Sequence, residues 1–148
     1  MAGPFSSTTI AAVGACTRAL AGLEYADAAI AQSNAASLSA LRAFGDRLAL
    51  QARFHDAAVH ASHRPDSVTE AGLFDALEHA RLDAIGAQWL QGVAKNLVAH
   101  PGADDPPRWL AFEALSGLAA PKEQSAAIAR LRRALPVRLV EQLASLST

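Results

Sequence analysis

Apolar residues recur every three or four positions along most of the chain, which is the spacing of one face of an α-helix. The clearest stripe spans about residues 35–62 and comprises Leu41, Phe44, Leu48, Ala52, His55 and Val59. A second stripe, over about residues 68–85, comprises Leu73, Leu77, Ala80 and Ala84. A turn around Pro65 separates the two arms, so the pattern predicts a central antiparallel helical hairpin.

Further helices are predicted on both sides of this hairpin. Glycine and proline divide the flanking sequence into the segments 8–21, 87–99, 107–118, 121–134 and 136–146. Residues 23–37 permit either a short helix or a loop, and Gly86 is expected to weaken or bend the second arm of the hairpin. The chain should therefore contain six or seven helices.

The composition supports an all-α fold. The chain has 36 Ala and 19 Leu against 11 Val plus Ile, and the first two residue types favour helices whereas the β-branched residues favour strands. With 148 residues, of which 51% are hydrophobic, residues 1–148 are expected to form a single helical domain. Its predicted core consists of Leu41, Phe44, Leu48, Val59, Leu73, Leu77, Ala84, Ile85, Val93 and Leu97.

Charge and cysteine content exclude several classes of protein. A formal charge of −1 does not favour nucleic acid or an anionic membrane as partner, and the single cysteine, Cys16, excludes a disulfide framework within the chain. The sequence shows no export signal and no apolar run long enough to span a bilayer, so we expect a cytoplasmic protein. The C-terminal arginines are interpreted as a solvated or protein-facing surface; they are Arg130, Arg132, Arg133 and Arg138.

The densest group of potentially reactive side chains lies near residue 56. Asp56 and His60 are four residues apart, so on one helix they would project together, as metal ligands or an acid/base pair do. A divalent ion needs further ligands, which His63, Glu78 or His79 could supply. We interpret the group as packing and ion pairing, and assign no catalytic, cofactor-binding or metal residue. A small metal-dependent helical hydrolase using Asp56 and His60 is the alternative.

The predicted hairpin also places charged residues opposite one another. Its antiparallel register sets Arg53 level with Glu78, while Asp56 lies one turn after Arg53 and Arg81 one turn after Glu78. These four residues are predicted to form one closed network of two cations and two carboxylates. Such a network would fix the register of the hairpin rather than form a reactive site.

Three blocks in the middle of the chain carry a family resemblance. They contain Arg53-x-His55-Asp56-Ala57 within residues 48–60, Phe74-Asp75-Ala76-Leu77-Glu78 within residues 74–87, and Gly92-Val93-Ala94 within residues 92–97. In their order and spacing they closely resemble the N-terminal region of the CobT-type subunit of aerobic cobaltochelatase. The stretch at 115–121 is similar to the next segment of that family's sequence.

The resemblance implies a non-catalytic interaction domain that supports ATP-dependent insertion of cobalt into the corrin ring during cobalamin biosynthesis. The implied partners are an AAA+ ATPase subunit and a large chelating subunit. Cobalt and ATP would be used by the complex, with no cofactor in this chain and no activity of the chain alone. Family members continue into an acidic linker and a von Willebrand factor A-like domain, so residues 1–148 are expected to be the N-terminal domain of a longer subunit or a short relative.

Overall fold

Every secondary-structure element in the described part of the chain is helical, which confirms the all-α fold class. The structure, a computed structural model, describes residues 5–22, 26–102 and 104–145. The α-helices are α1 (Ser7–Ala21), α2 (Ala26–Ala31), α3 (Leu38–Phe54), α4 (Ala57–His63), α5 (Val68–Trp89), α6 (Gln91–Ala99), α7 (Pro106–Ser116), α8 (Ser125–Ala134) and α9 (Val137–Ser145). A 3-10 turn at Lys122–Gln124 precedes α8. These described residues thus contain more helices than the six or seven predicted.

The prediction of one long helix over residues 35–62 is wrong, because the chain leaves the helix at His55 and Asp56. His55 has an extended backbone, with φ −95° and ψ 126°, and ends α3. The carboxylate of Asp56 then accepts hydrogen bonds of 3.0 Å from the backbone N–H groups of Ala58 and Val59, and so caps α4. Aspartate favours this capping position, and the cap overrides the apolar periodicity that runs across the break.

The second arm of the hairpin, predicted over about residues 68–85, extends in the structure through Gly86 to Trp89 as α5. Gly86 is buried, and a Cβ atom there would lie 2.5 Å from Cδ1 of Leu50 and 3.1 Å from Cγ1 of Val93. The glycine thus lets α3 and α6 approach α5 closely, which explains its place inside a helix. At the start of α5, Ser67 is of a residue type that favours helix capping, yet its side chain makes no capping hydrogen bond.

The largest buried cluster lies between α5 and α7. Ala80, Ala84 and Ala87 of α5 share it with Trp109 and Phe112 of α7, whose rings meet edge to face with centroids 5.2 Å apart. Small side chains on one helix leave room for large aromatic side chains on the other. The predicted core list ended at Leu97 and therefore missed both aromatic residues.

The predicted core is only partly correct. Leu41, Ala84, Val93 and Leu97 are buried as expected, and Leu48 and Ile85 are half-buried. Four residues are wrong, because their fractional exposure ranges from 38% to 55%; they are Phe44, Val59, Leu73 and Leu77. The periodicity identified an apolar face correctly, but within the described residues no other helix covers these parts of it.

Charged residues are buried where α5 meets α3 and α7. The Asp83 side chain is 4% exposed and lies 2.5 Å from Nη2 of Arg108 on α7 and 3.7 Å from Nε of Arg47 on α3. Arg47 of α3 pairs with Asp83, and His55, just after the end of α3, pairs with Glu78. Because the end of α3 meets the earlier of these two residues of α5, the two helices run antiparallel, as predicted.

Within residues 5–22, 26–102 and 104–145, every helix is too short or too polar to cross a lipid bilayer.

Candidate functional site

A surface pocket of about 400 Å³ lies where α3 ends, α4 begins and the first half of α5 passes. It lies at the break between α3 and α4, where His55 and Asp56 both have an extended backbone. The walls combine aromatic and aliphatic side chains with ionisable ones. They are formed by Phe54, Asp56, Val59, His60, His63, Phe74, Glu78 and Arg81.

A chain of hydrogen bonds begins at His55. Its Nδ1 lies 2.8 Å from Oε1 of Glu78, and the Glu78 carboxylate in turn accepts two hydrogen bonds, of 2.7 and 2.8 Å, from Arg81. Arg81 also donates to the backbone carbonyl of Phe54 at 2.8 Å. The side chains of His55 and Glu78 are only 15% and 17% exposed, so the pair is largely shielded from solvent.

A second chain of the same composition begins at His60. Its Nε2 lies 2.9 Å from Oδ1 of Asp75, and Arg64 binds both oxygens of that carboxylate, at 2.9 Å from Nε and 2.7 Å from Nη2. The His60 ring packs against Phe74, with centroids 4.8 Å apart, and lies 4.9 Å from the His55 ring. Two histidine–carboxylate–arginine chains therefore meet at their histidine ends.

The arginines keep both carboxylates ionised. Hydrogen bonds from Arg81, and to a lesser degree from His55, lower the pKa of Glu78 to about 2. Hydrogen bonds from Arg64 and then His60 lower the pKa of Asp75 well below its usual range. An ionised carboxylate only accepts hydrogen bonds, so Nδ1 of His55 and Nε2 of His60 carry protons. When the rings are neutral, the lone pairs are on Nε2 of His55 and Nδ1 of His60.

These residues form the one group in the described part of the chain that has metal-ligand spacing. One nitrogen of His55, one nitrogen of His60 and one carboxylate oxygen of Glu78 all lie within 4.8 Å of one another. Two imidazoles and a carboxylate are suited to a divalent ion such as zinc, or to the movement of a proton between the two rings.

The predicted closed network of Arg53, Asp56, Glu78 and Arg81 is correct only for the pair formed by Glu78 and Arg81. Arg53 does not pair with Glu78. It donates to the carbonyl of Leu20 at 2.9 Å, and its guanidinium lies 4.8 Å from the ring centroid of Trp89. Asp56 is used to cap α4. The break after Phe54 explains the difference, because it brings His55 rather than Arg53 to Glu78.

Asp56 and His60, the pair on which the hydrolase alternative depends, are directed to different partners. The Asp56 carboxylate faces the backbone of α4, whereas His60 binds Asp75. Of the additional ligands considered, Glu78 joins the group, but His63 binds the Val59 carbonyl of its own helix. The assignment of Asp56 as a member of a reactive pair is therefore not supported by its geometry.

Sequence reasoning missed Arg64 and Asp75. The predicted register gave no signal for them, because setting residue 53 level with residue 78 also sets Asp75 level with residue 56, whereas in the structure Asp75 binds His60 and Arg64.

One family of known proteins matches the central part of the chain. The family described as cobalamin biosynthesis protein CobT matches residues 30–104, a range that contains both histidine–carboxylate–arginine chains and Asp83. No solved structure matches the chain. Because the match covers half of the sequence and includes the three blocks on which the resemblance rests, the chain belongs to the CobT family and is associated with cobalamin biosynthesis.

Proposed function

We propose that this chain is a non-catalytic interaction domain of a cobaltochelatase, where it supports ATP-dependent insertion of cobalt into the corrin ring in the cytoplasm. Its partners in this proposal are the AAA+ ATPase subunit and the large chelating subunit of the complex. Family membership supports a role in cobalamin biosynthesis. The observation that carries the interaction role is an apolar stripe on α5 that extends beyond the core.

The stripe continues along one face of α5 from the covered half of the helix into the uncovered half. Ala80 and Ala84 lie in the cluster shared with α7. Leu73 and Leu77 precede them at helical spacing on the same face, yet they are 47% and 42% exposed.

An exposed continuation of a core stripe is a common feature of a protein-binding surface. Leu73 and Leu77 each leave a large part of an aliphatic side chain in water, and burial of that area against a partner would be favourable at about 25 cal/mol per Å².

The test uses the complete protein that carries this chain, together with the ATPase and chelating subunits. We expect the double variant Leu73→Glu/Leu77→Glu to lose co-purification with at least one subunit, and to lower the rate of cobalt insertion. Leu118→Glu is the control, because Leu118 is 40% exposed but lies beyond the end of α7. Full co-purification of the double variant with both subunits would contradict the proposal.

A further inference from the structure

We propose that His55, His60 and Glu78 bind one divalent transition-metal ion beside the pocket between α4 and α5, whose walls include His60 and Glu78. This inference goes beyond the interaction role and does not depend on it. It rests on the convergence of two imidazole nitrogens and one carboxylate oxygen within 4.8 Å of one another. Neighbouring donor atoms around a tetrahedral ion are separated by about 3.3 Å, given metal–ligand distances of about 2.0–2.2 Å. Small rotations of the side chains would therefore close the site.

The surroundings of His60 are those of a metal ligand. A histidine ligand usually donates its other ring N–H to a carboxylate, which fixes the tautomer and the orientation of the ring. Asp75 is the carboxylate that accepts the ring N–H of His60, and Arg64 donates to both oxygens of Asp75. Packing against Phe74 further restricts the His60 ring. The lone pair of neutral His60 is thus on Nδ1, away from Asp75.

His55 and Glu78 supply the other two ligands from different elements. His55 follows the end of α3, and Glu78 is in the middle of α5. Their 2.8 Å hydrogen bond places the two groups side by side, and an ion bound between them would replace the proton on Nδ1 of His55, so that the neutral ring would carry its proton on Nε2 instead. Both side chains are more than four-fifths buried, which weakens the competition of water for the ion.

The chemistry of the donors selects the class of ion. Imidazole nitrogens favour zinc, cobalt, nickel and copper, whereas magnesium and calcium prefer sites composed only of oxygen ligands. Arg64 and Arg81 already neutralise the two carboxylates, so the attraction of a cation depends mainly on the imidazoles. Three protein ligands would leave at least one coordination position to water or to an exogenous ligand.

The test is a titration of the purified chain with Zn²⁺ by calorimetry and with Co²⁺ by visible absorption. We expect one ion per chain. His60→Ala and His55→Ala should each weaken binding at least ten-fold, and Asp75→Asn, which removes the positioning carboxylate, should weaken it about 10- to 100-fold. His63→Ala and His100→Ala should bind as the wild type does.

Magnetic resonance of the ring nitrogens in the wild-type chain avoids any variant that fails to fold. Stoichiometric Zn²⁺ should shift Nδ1 of His60 and one nitrogen of His55, and should leave the rings of His79 and His100 unchanged. The proposal is overturned if the wild type binds no ion, or if the ion binds without shifting the rings of His55 and His60. It is also overturned if His63→Ala weakens binding as much as His60→Ala does. None of these outcomes bears on co-purification with the chelatase subunits.

Discussion

Glu78 shows how one side chain joins two elements that the sequence presents as separate. It accepts hydrogen bonds from Arg81 on its own helix and from His55, which follows α3. Its side chain is only 17% exposed, so water has little access to replace these partners. The residue therefore contributes to stability through hydrogen bonds to charged groups.

We expect Glu78→Ala to lower the free energy of unfolding by roughly 1 to 3 kcal/mol at pH 7. The folded-state pKa of about 2 lies below the ordinary value of 4.5, so this contribution is complete above pH 4.5 and is lost as the pH falls toward 2. Urea unfolding of the wild type and the variant from pH 7 to pH 2 measures the difference. Glu70→Ala is the control, since Glu70 is exposed on the same helix. A difference that does not shrink in acid would contradict the prediction.

At the scale of the element, α5 contains two glycines in opposite surroundings. Gly86 is buried against Leu50 and Val93, whereas a Cβ atom at Gly72 would meet nothing within 4 Å. Glycine lowers helix stability at both positions, because it loses more backbone freedom on folding than alanine does. Only at Gly86 does close packing compensate for that loss.

We expect Gly86→Ala to destabilise the protein by about 1 to 3 kcal/mol, because the new methyl group would force Leu50 out of its packed position. Gly72→Ala should instead stabilise it by about 0.5 to 1 kcal/mol. Thermal or urea unfolding of the two variants gives the comparison directly. Equal effects at the two sites would show that helix propensity, and not the contact with Leu50, determines the outcome.

The helices were predictable to the extent that local signals define them. The bounds of α1 and the start of α5 agree with the sequence pattern within one or two residues. The local signals at α1 are the capping side chain of Ser6 and the positive φ of Gly22, whereas the start of α5 follows the turn at Pro65. The break at Asp56 was missed because apolar periodicity continues across it, and a capping aspartate looks the same in sequence as a surface aspartate.

The candidate site was predictable in its residues but not in its pairing. His55, His60 and Glu78 were all noted from the sequence, whereas their convergence depends on how the chain turns between α3 and α4. The burial of individual side chains was harder to predict than the pairing of the site residues. Leu73 and Leu77 have the same spacing as core residues, and only the position of α7 on α5 decides that they are exposed.

On the scale of the whole molecule, α5 is the helix that α3, α6 and α7 share. Asp83 lies at this junction, with Arg47 on one side and Arg108 on the other. A buried carboxylate between two guanidinium groups is costly to bring out of water, but removal of the carboxylate alone leaves the cations without compensation. The junction is thus sensitive to the loss of one carboxylate group.

We expect Asp83→Ala to lower the free energy of unfolding by about 3 to 5 kcal/mol, because Arg108, whose side chain is 12% exposed, would remain as an uncompensated charge. Urea unfolding measures this loss. Asp104→Ala should change stability by less than about 0.5 kcal/mol, since Asp104 is exposed. A cost at Asp83 no larger than that at Asp104 would show that the junction is held by packing alone.

Alanines that look alike in the sequence differ in the substitutions that they tolerate, because those on the buried face of α5 pack against α7 and others are exposed. An exposed alanine such as Ala12 or Ala52 can drift to Glu, Lys or Gln with little effect, because only helix propensity acts on it. Ala80 and Ala84 face the aromatic side chains of α7 and have no room for a longer side chain. Exposed alanine positions of this chain can therefore differ between relatives, while the face of α5 that packs against Trp109 has to keep its small residues.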